Sequence, residues 1–178
     1  MLRKIALGLS VLVLALFIAS IAGYVITGSQ APAADSVSAQ WLKPGPHMTA
    51  SSDKVFVDSS RGTAANRDYS GAADRTLATT LWYPLDSEES HPLVIHSHGF
   101  TSARNDLSYV AELLASHGYI VAAADYPLTH GGAPGKPNAV DVVNQPADVS
   151  FLIDSVSALS GPEKPFSGSI DASRIGLM

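Results

Sequence analysis

Apolar positions along this chain fall into short blocks whose period switches between two and about 3.6 residues. Lys54-Val55-Phe56-Val57 carries a first apolar strand. Thr76 to Tyr83 alternates threonine, leucine and aromatic residues, a second strand closed by Pro84. Between them Arg61 to Asp74 is polar and glycine-containing, a loop, and Asp86 to Ser90 is an acidic turn. Pro92 to Ser97 reads as a strand buried on both faces. Leu107, Val110, Ala111 and Leu114 then fall at i, i+3, i+4 and i+7, one face of a helix, with Gly118 at its C-cap. Tyr119 to Ala124 is the next buried strand, and Tyr126 to Asn138 a long loop rich in glycine and proline. Val149, Leu152, Ile153 and Val156 mark a second helix, with Pro146 in its first turn and Asn144 or Gln145 as its cap. Ser173 to Met178 begins one more buried strand. Strands alternating with helices predict an α/β fold: a mostly parallel sheet flanked by helices, with ligands at the carboxyl ends of the strands.

The N-terminus follows another pattern. Arg3 and Lys4 precede an uncharged run from Ile5 to Ile26, and the next charge is Asp35. Basic residues followed by such a run form an export signal or, at about 20 apolar residues, a membrane span. Residues 1–27 are therefore read as an N-terminal apolar helix serving as signal peptide or anchor. Residues 28–50, rich at first in Ala, Ser, Pro and Gln, are read as a linker, and 51–178 as the folded domain. This predicts export to the periplasm, cell exterior or membrane surface, with the membrane as a partner if the segment is retained.

The 178 residues suffice for one core, and 46% hydrophobic against 15% charged residues is a globular composition. A net charge of −5 argues against nucleic acid as a partner. The absence of cysteine excludes disulfides, thiolate metal sites, a cysteine nucleophile and a lipidated cysteine.

The chemistry concentrates in His96-Ser97-His98-Gly99-Phe100-Thr101, directly after a buried strand and before a helix. A glycine there lets the backbone turn off the strand, so that the following N–H groups can face a developing oxyanion. His96 and His98, two apart, share a face, as zinc ligands can. No third ligand has a recognisable spacing, so His96 is read as a residue under the turn and the metal content as none. Ser97 and Ser102 are read as loop hydrogen-bonding groups, Asp125 as a brace of the loop after its strand, and Asp148 as a helix-capping acid. Trp82 and Tyr83 are read as sheet packing, and the loop from His130 to Asn138 as either a border of the site mouth or a flexible connection.

These pieces, in their order, resemble the dienelactone-hydrolase-like and platelet-activating-factor acetylhydrolase-like esterases of the α/β-hydrolase superfamily. The resemblance rests on Arg75-Thr76-Leu77, Leu81-Trp82-Tyr83-Pro84, Pro92-Leu93-Val94-Ile95 with His98-Gly99-Phe100, and Leu113 to Val121. Asp125-Tyr126-Pro127, Pro146-Ala147-Asp148-Val149, Leu152-Ile153-Asp154 and Arg174 to Met178 complete it. It implies an α/β-hydrolase fold truncated after the fifth strand, since in this family that strand runs into Gly-X-Ser-X-Gly, and no such motif occurs here. It further implies an oxyanion loop shaped by His98 and Gly99, with the Phe100 backbone N–H as donor. Nucleophile, acid and base are absent from the chain.

The function implied is a serine-dependent carboxylic ester hydrolase without cofactor, acting on a lipid, short-chain ester or polyester. The chain by itself is expected to be inactive, and poorly soluble with Arg174 to Met178 as an unpaired edge. The alternatives are a membrane-anchored non-catalytic α/β binding module and an α/β-hydrolase of peptides or thioesters.

Overall fold

In the computed structural model, residues 12–21, 23, 31–159 and 164–178 are described. They divide into two compact units, Met1–Leu42 and Lys43–Met178. In the first, residues 12–21 are helical, and the five-residue helix Val37–Trp41 begins at Ser36, whose hydroxyl accepts from the Ala39 N–H at 3.1 Å. That cap places a helical turn inside the stretch read as linker. Of the apolar run from Ile5 to Ile26, residues 5–11, 22 and 24–26, half of its length, lie outside the described residues. Among those described, no helix is long and apolar enough to cross a membrane.

The second unit holds five strands: β1 (Thr49–Asp58), β2 (Arg75–Pro84), β3 (Ser90–His96), β4 (Ile120–Asp125) and β5 (Ser169–Leu177). They form one sheet in the order β1-β2-β4-β3-β5. β2 pairs antiparallel with β1 and β4, whereas β3 pairs parallel with β4 and β5. Four strands thus share one direction and β2 alone is reversed, so the start of β2 lies at the carboxyl end of the others, beside Asp125 (register Ala78 to Asp125).

β4 shows why its sequence lacks polar alternation. Ile120, Ala122 and Ala124 join Leu77, Leu81, Leu93 and Ile95 in a core on one face, closed by Leu152 and Val156 of α2 (Gln145–Ser157). Val121 and Ala123 join Trp82 on the other face, under Ala111 and Ala115 of α1 (Ser108–Ser116). Each face carries its own helix, and each fully buried leucine or isoleucine contributes about 1.5–3 kcal/mol relative to exposure. Trp82 and Tyr83 are buried packing residues, as their place in the strand predicts.

α1 ends where Gly118 takes a φ of +90°, its N–H bonded to the Ala115 carbonyl at 3.0 Å. Gly118→Ala is expected to destabilise the fold by about 1–2 kcal/mol, the cost of a Cβ in left-handed backbone. An unchanged urea midpoint would contradict this.

The start of α2 differs from expectation. Asn144 precedes it but makes no side-chain cap. Its amide instead donates to Asp141 Oδ1 at 2.7 Å, and residues Ala139–Asn144 form a 3-10 turn that periodicity did not reveal. Asp148, read as a capping acid, does lie in the first turn of α2, but it is fully buried and serves another purpose. Arg75 Nε and Nη2 donate to its two oxygens at 2.7 and 2.6 Å, and Arg75 also donates to both oxygens of Asp141 at 3.1 and 3.0 Å. Burial opposes the charge on Arg75, but these two carboxylates outweigh it and raise its pKa further. The first residue of β2 is thereby clamped to the 3-10 turn and to α2.

Candidate active site

The segment following β3 lies at the carboxyl end of the parallel strands and is pinned from several sides. Ser97 donates its N–H to the Met178 carbonyl at 2.9 Å, and Met178 donates to Ile95 at 3.0 Å, so the end of β5 lies against the start of this loop. Thr101 donates to the Thr129 carbonyl at 2.9 Å, and Gly131 to the Ser102 carbonyl at 2.8 Å, which ties it to the loop after β4.

The three residues singled out in the sequence have different surroundings. His98 is buried. Its Nε2 accepts the Tyr126 N–H at 3.3 Å, which leaves the proton on Nδ1, and that donates to the Gly99 carbonyl at 2.8 Å. Its ring lies 5.0 Å from the Tyr126 ring, and the Tyr126 hydroxyl, in turn, donates to Ser97 Oγ at 2.9 Å. His98 thus links the turn to the strand beside it. Gly99 is exposed, its backbone lies outside the left-handed region, and a Cβ there would meet nothing within 4 Å. The left-handed residue of the loop is Thr101, at φ +68°, a strained conformation for a β-branched side chain. Phe100 is 47% exposed, and its N–H has no hydrogen-bond acceptor among the described residues. A free amide next to a strained, over-determined residue is an arrangement found where backbone geometry is part of function.

His96 does not face a metal site. Its Nε2 bonds Asp106 Oδ1 at 2.6 Å, while its buried Nδ1 has no partner among the described residues. The Ser102 hydroxyl donates to the other oxygen of Asp106. The order serine–carboxylate–histidine puts the acid in the middle, so the serine is an anchored donor and is not activated by a base. No group of three or more metal-binding side chains occurs among the described residues. Asp125 braces a different loop from the one expected: its Oδ1 accepts the Arg104 N–H at 2.7 Å and its other oxygen takes the guanidinium, so it holds the loop after β3 and not the loop after its own strand β4. Sequence reasoning missed both Arg104 and Asp106, whose loop setting shows no periodic signal.

Partial burial works against the charge of Asp106, but hydrogen bonds from Ser102 and His96 outweigh it and hold its carboxyl below the ordinary aspartate range. A depressed folded pKa gives stability that is present above the unfolded value, about 3.9, and lost as pH falls through the folded one. Asp106→Asn is therefore expected to flatten the pH dependence of unfolding below about pH 4. An acid limb identical to that of the native chain would refute the assignment.

The family model for platelet-activating factor acetylhydrolase, isoform II, matches residues 45–127. Among solved structures, a ferulic acid esterase from Streptomyces cinnamoneus is similar with 24% identity and a TM-score of 0.54, over 72% of this chain and 51% of that one. A hypothetical protein from Pseudomonas aeruginosa aligns with 22% identity and a TM-score of 0.48, over 84% of this chain and 39% of that one. No curated protein matches the chain. The chain spans about half the length of the ferulic acid esterase, and the likeness is one of fold. The five-stranded sheet with a helix on either face is that part of an α/β-hydrolase fold.

Proposed function

From a chain whose residues 45–127 match the platelet-activating factor acetylhydrolase family model and whose fold is that of an α/β-hydrolase, we infer that the whole protein is a serine-dependent carboxylic ester hydrolase. The carrying observation is the free Phe100 amide at the carboxyl end of β3, beside the end of β5. In this reading the nucleophilic serine follows β5, and its attack on the ester carbonyl puts negative charge on the carbonyl oxygen. The Phe100 N–H, held by Thr101 on one side and the braced His98–Gly99 segment on the other, donates to that oxygen. A histidine base takes the serine proton and passes it to the departing alcohol, and water then cleaves the acyl-enzyme. His98 and Gly99 position the loop and take no proton. No metal or organic cofactor enters this chemistry. Substrates are carboxylic esters of the lipid, short-chain or polyester kind. The basic pair Arg3-Lys4 before the apolar run supports a site of action outside the cytoplasm.

The experiment is to express the reading frame continued past Met178 and expose it to a fluorophosphonate probe and to p-nitrophenyl esters. The expected result is labelling and hydrolysis, both abolished when the serine after β5 is replaced by alanine. Hydrolysis without labelling, or neither activity in a folded protein, would overturn the reading.

A further inference from the structure

A cleft of about 220 Å³ opens between the loop joining β1 to β2 and the loop after β4. Its floor is the start of β2, with Ala78, and its walls carry Thr63, Tyr69, Asp74, His130 and Pro134. Because β2 is reversed, this lies at the same end of the sheet as the Phe100 turn. The segment 129–131 is hydrogen-bonded to Thr101 and Ser102, so one wall of the cleft backs directly onto that turn.

The walls are built as a rigid pair. Thr63 and Ala72 exchange backbone hydrogen bonds of 3.0 and 2.9 Å, and Asn66 and Tyr69 exchange two of 2.9 Å, which makes a small hairpin. The Asn66 amide crosses to the other wall and donates to the carbonyls of Pro134 and Lys136 at 2.9 and 2.7 Å. Gly135, at φ +69°, lets the walls approach, since a Cβ there would sit 2.0 Å from the Asn66 carbonyl oxygen. A preformed cleft is ready for a ligand without an ordering cost.

The electrostatics select the ligand class. Asp125 is neutralised by Arg104. His130 is half-buried, burial lowers its pKa, and its Nδ1 accepts the Gly132 N–H at 3.3 Å. It is thus neutral at pH 7 with its proton on Nε2, a donor without charge. Asp74 has no cationic partner among the described residues and leaves one negative charge at the cleft. Of the remaining lining, Ala72, Ala78, Pro127 and Pro134 are apolar, and the Thr63 and Thr76 hydroxyls are committed to the Asp74 carbonyl and carboxylate; a cavity of about 150 Å³ already holds a benzene-sized guest.

We propose that this cleft binds the uncharged, ring-sized arm of an ester substrate and discriminates against carboxylate-bearing analogues through Asp74. It rests on the hydrolase reading above, and it assigns the specificity of that enzyme to Tyr69, Asp74, Ala78 and His130.

The test is ligand-observed fluorine NMR on the full chain, with methyl 4-fluorobenzoate and 4-fluorobenzoate as probes. The ester is expected to bind at least fivefold more tightly than the acid. Ala78→Phe, which fills the floor, should abolish ester binding, and Tyr69→Ala, on the hairpin surface, should weaken it several-fold without unfolding the sheet. Asp74→Asn should close the gap between ester and acid. Equal binding of the two probes by the native chain, or ester binding unchanged in Tyr69→Ala, would overturn the proposal. Hydrolysis plays no part in these readings. Failure here leaves the serine-hydrolase reading standing, and failure of fluorophosphonate labelling leaves the cleft standing.

Discussion

Replacing Arg75 by methionine is expected to destabilise the fold by about 3–5 kcal/mol, the usual cost of removing one partner from a buried ion pair. Arg75 is 1% exposed, and its guanidinium is the shared counter-ion of Asp141 and Asp148, which are 3% and 0% exposed. Methionine fills much of the same volume, so lost packing is a minor part of the change. The larger part is two buried carboxylates left without their shared counter-ion. Arg61 cannot substitute fully: its Nη2 reaches Asp148 at 2.8 Å, but its Nε is committed to Asp58 at 2.7 Å. Arg75→Lys keeps the charge and loses the two-pronged geometry, so its cost should lie between native and Arg75→Met. Adding Asp141→Asn and Asp148→Asn to Arg75→Met should recover part of the loss, because the stranded charges go with the partner. Urea denaturation followed by tryptophan fluorescence measures all three. A cost below about 1 kcal/mol for Arg75→Met, typical of exposed ion pairs, would show that the cluster contributes little.

That cluster also marks the limit of what the sequence conveyed. Strands and helices were legible because β4 and its neighbours are buried on both faces and the helices repeat their apolar residues at one face. Gly118 was legible because a left-handed residue after a helix nearly demands glycine. The Arg75 clamp joins residues 66 and 73 positions apart. No local pattern records such a distance, so Asp148 looked like a capping acid by its place in the first turn. Arg104 and Asp106 escaped for a similar reason, since each acts from an irregular turn on a strand end elsewhere in the chain. In the candidate site, the position of the loop was legible from His98-Gly99 after a buried strand. The residue in left-handed backbone was not, because the conformation falls on Thr101, a residue type that rarely adopts it.

In the ester hydrolase proposed above, Phe100→Pro is expected to lower kcat by about 10²–10³-fold, the loss seen when one oxyanion donor is removed. Proline deletes the N–H and nothing else from the backbone donors of this turn. The Phe100 N–H donates to no described acceptor, so its removal breaks no hydrogen bond of the resting fold. Thr101 keeps its bond to Thr129, and His98 keeps both of its own. The effect should therefore fall on the transition state, with kcat and kcat/KM reduced alike and KM little changed. Phe100→Ala separates the amide from the ring. It retains the donor, so its kcat should fall far less than that of the proline variant. Any change in KM would then report what the half-exposed ring contributes to substrate binding. Steady-state kinetics on a short-chain p-nitrophenyl ester, with melting curves to show that both variants fold, decide the matter. If the two variants lose kcat equally while remaining folded, the side chain and not the amide acts in the reaction. The oxyanion donor would then have to be sought elsewhere at the carboxyl end of the sheet.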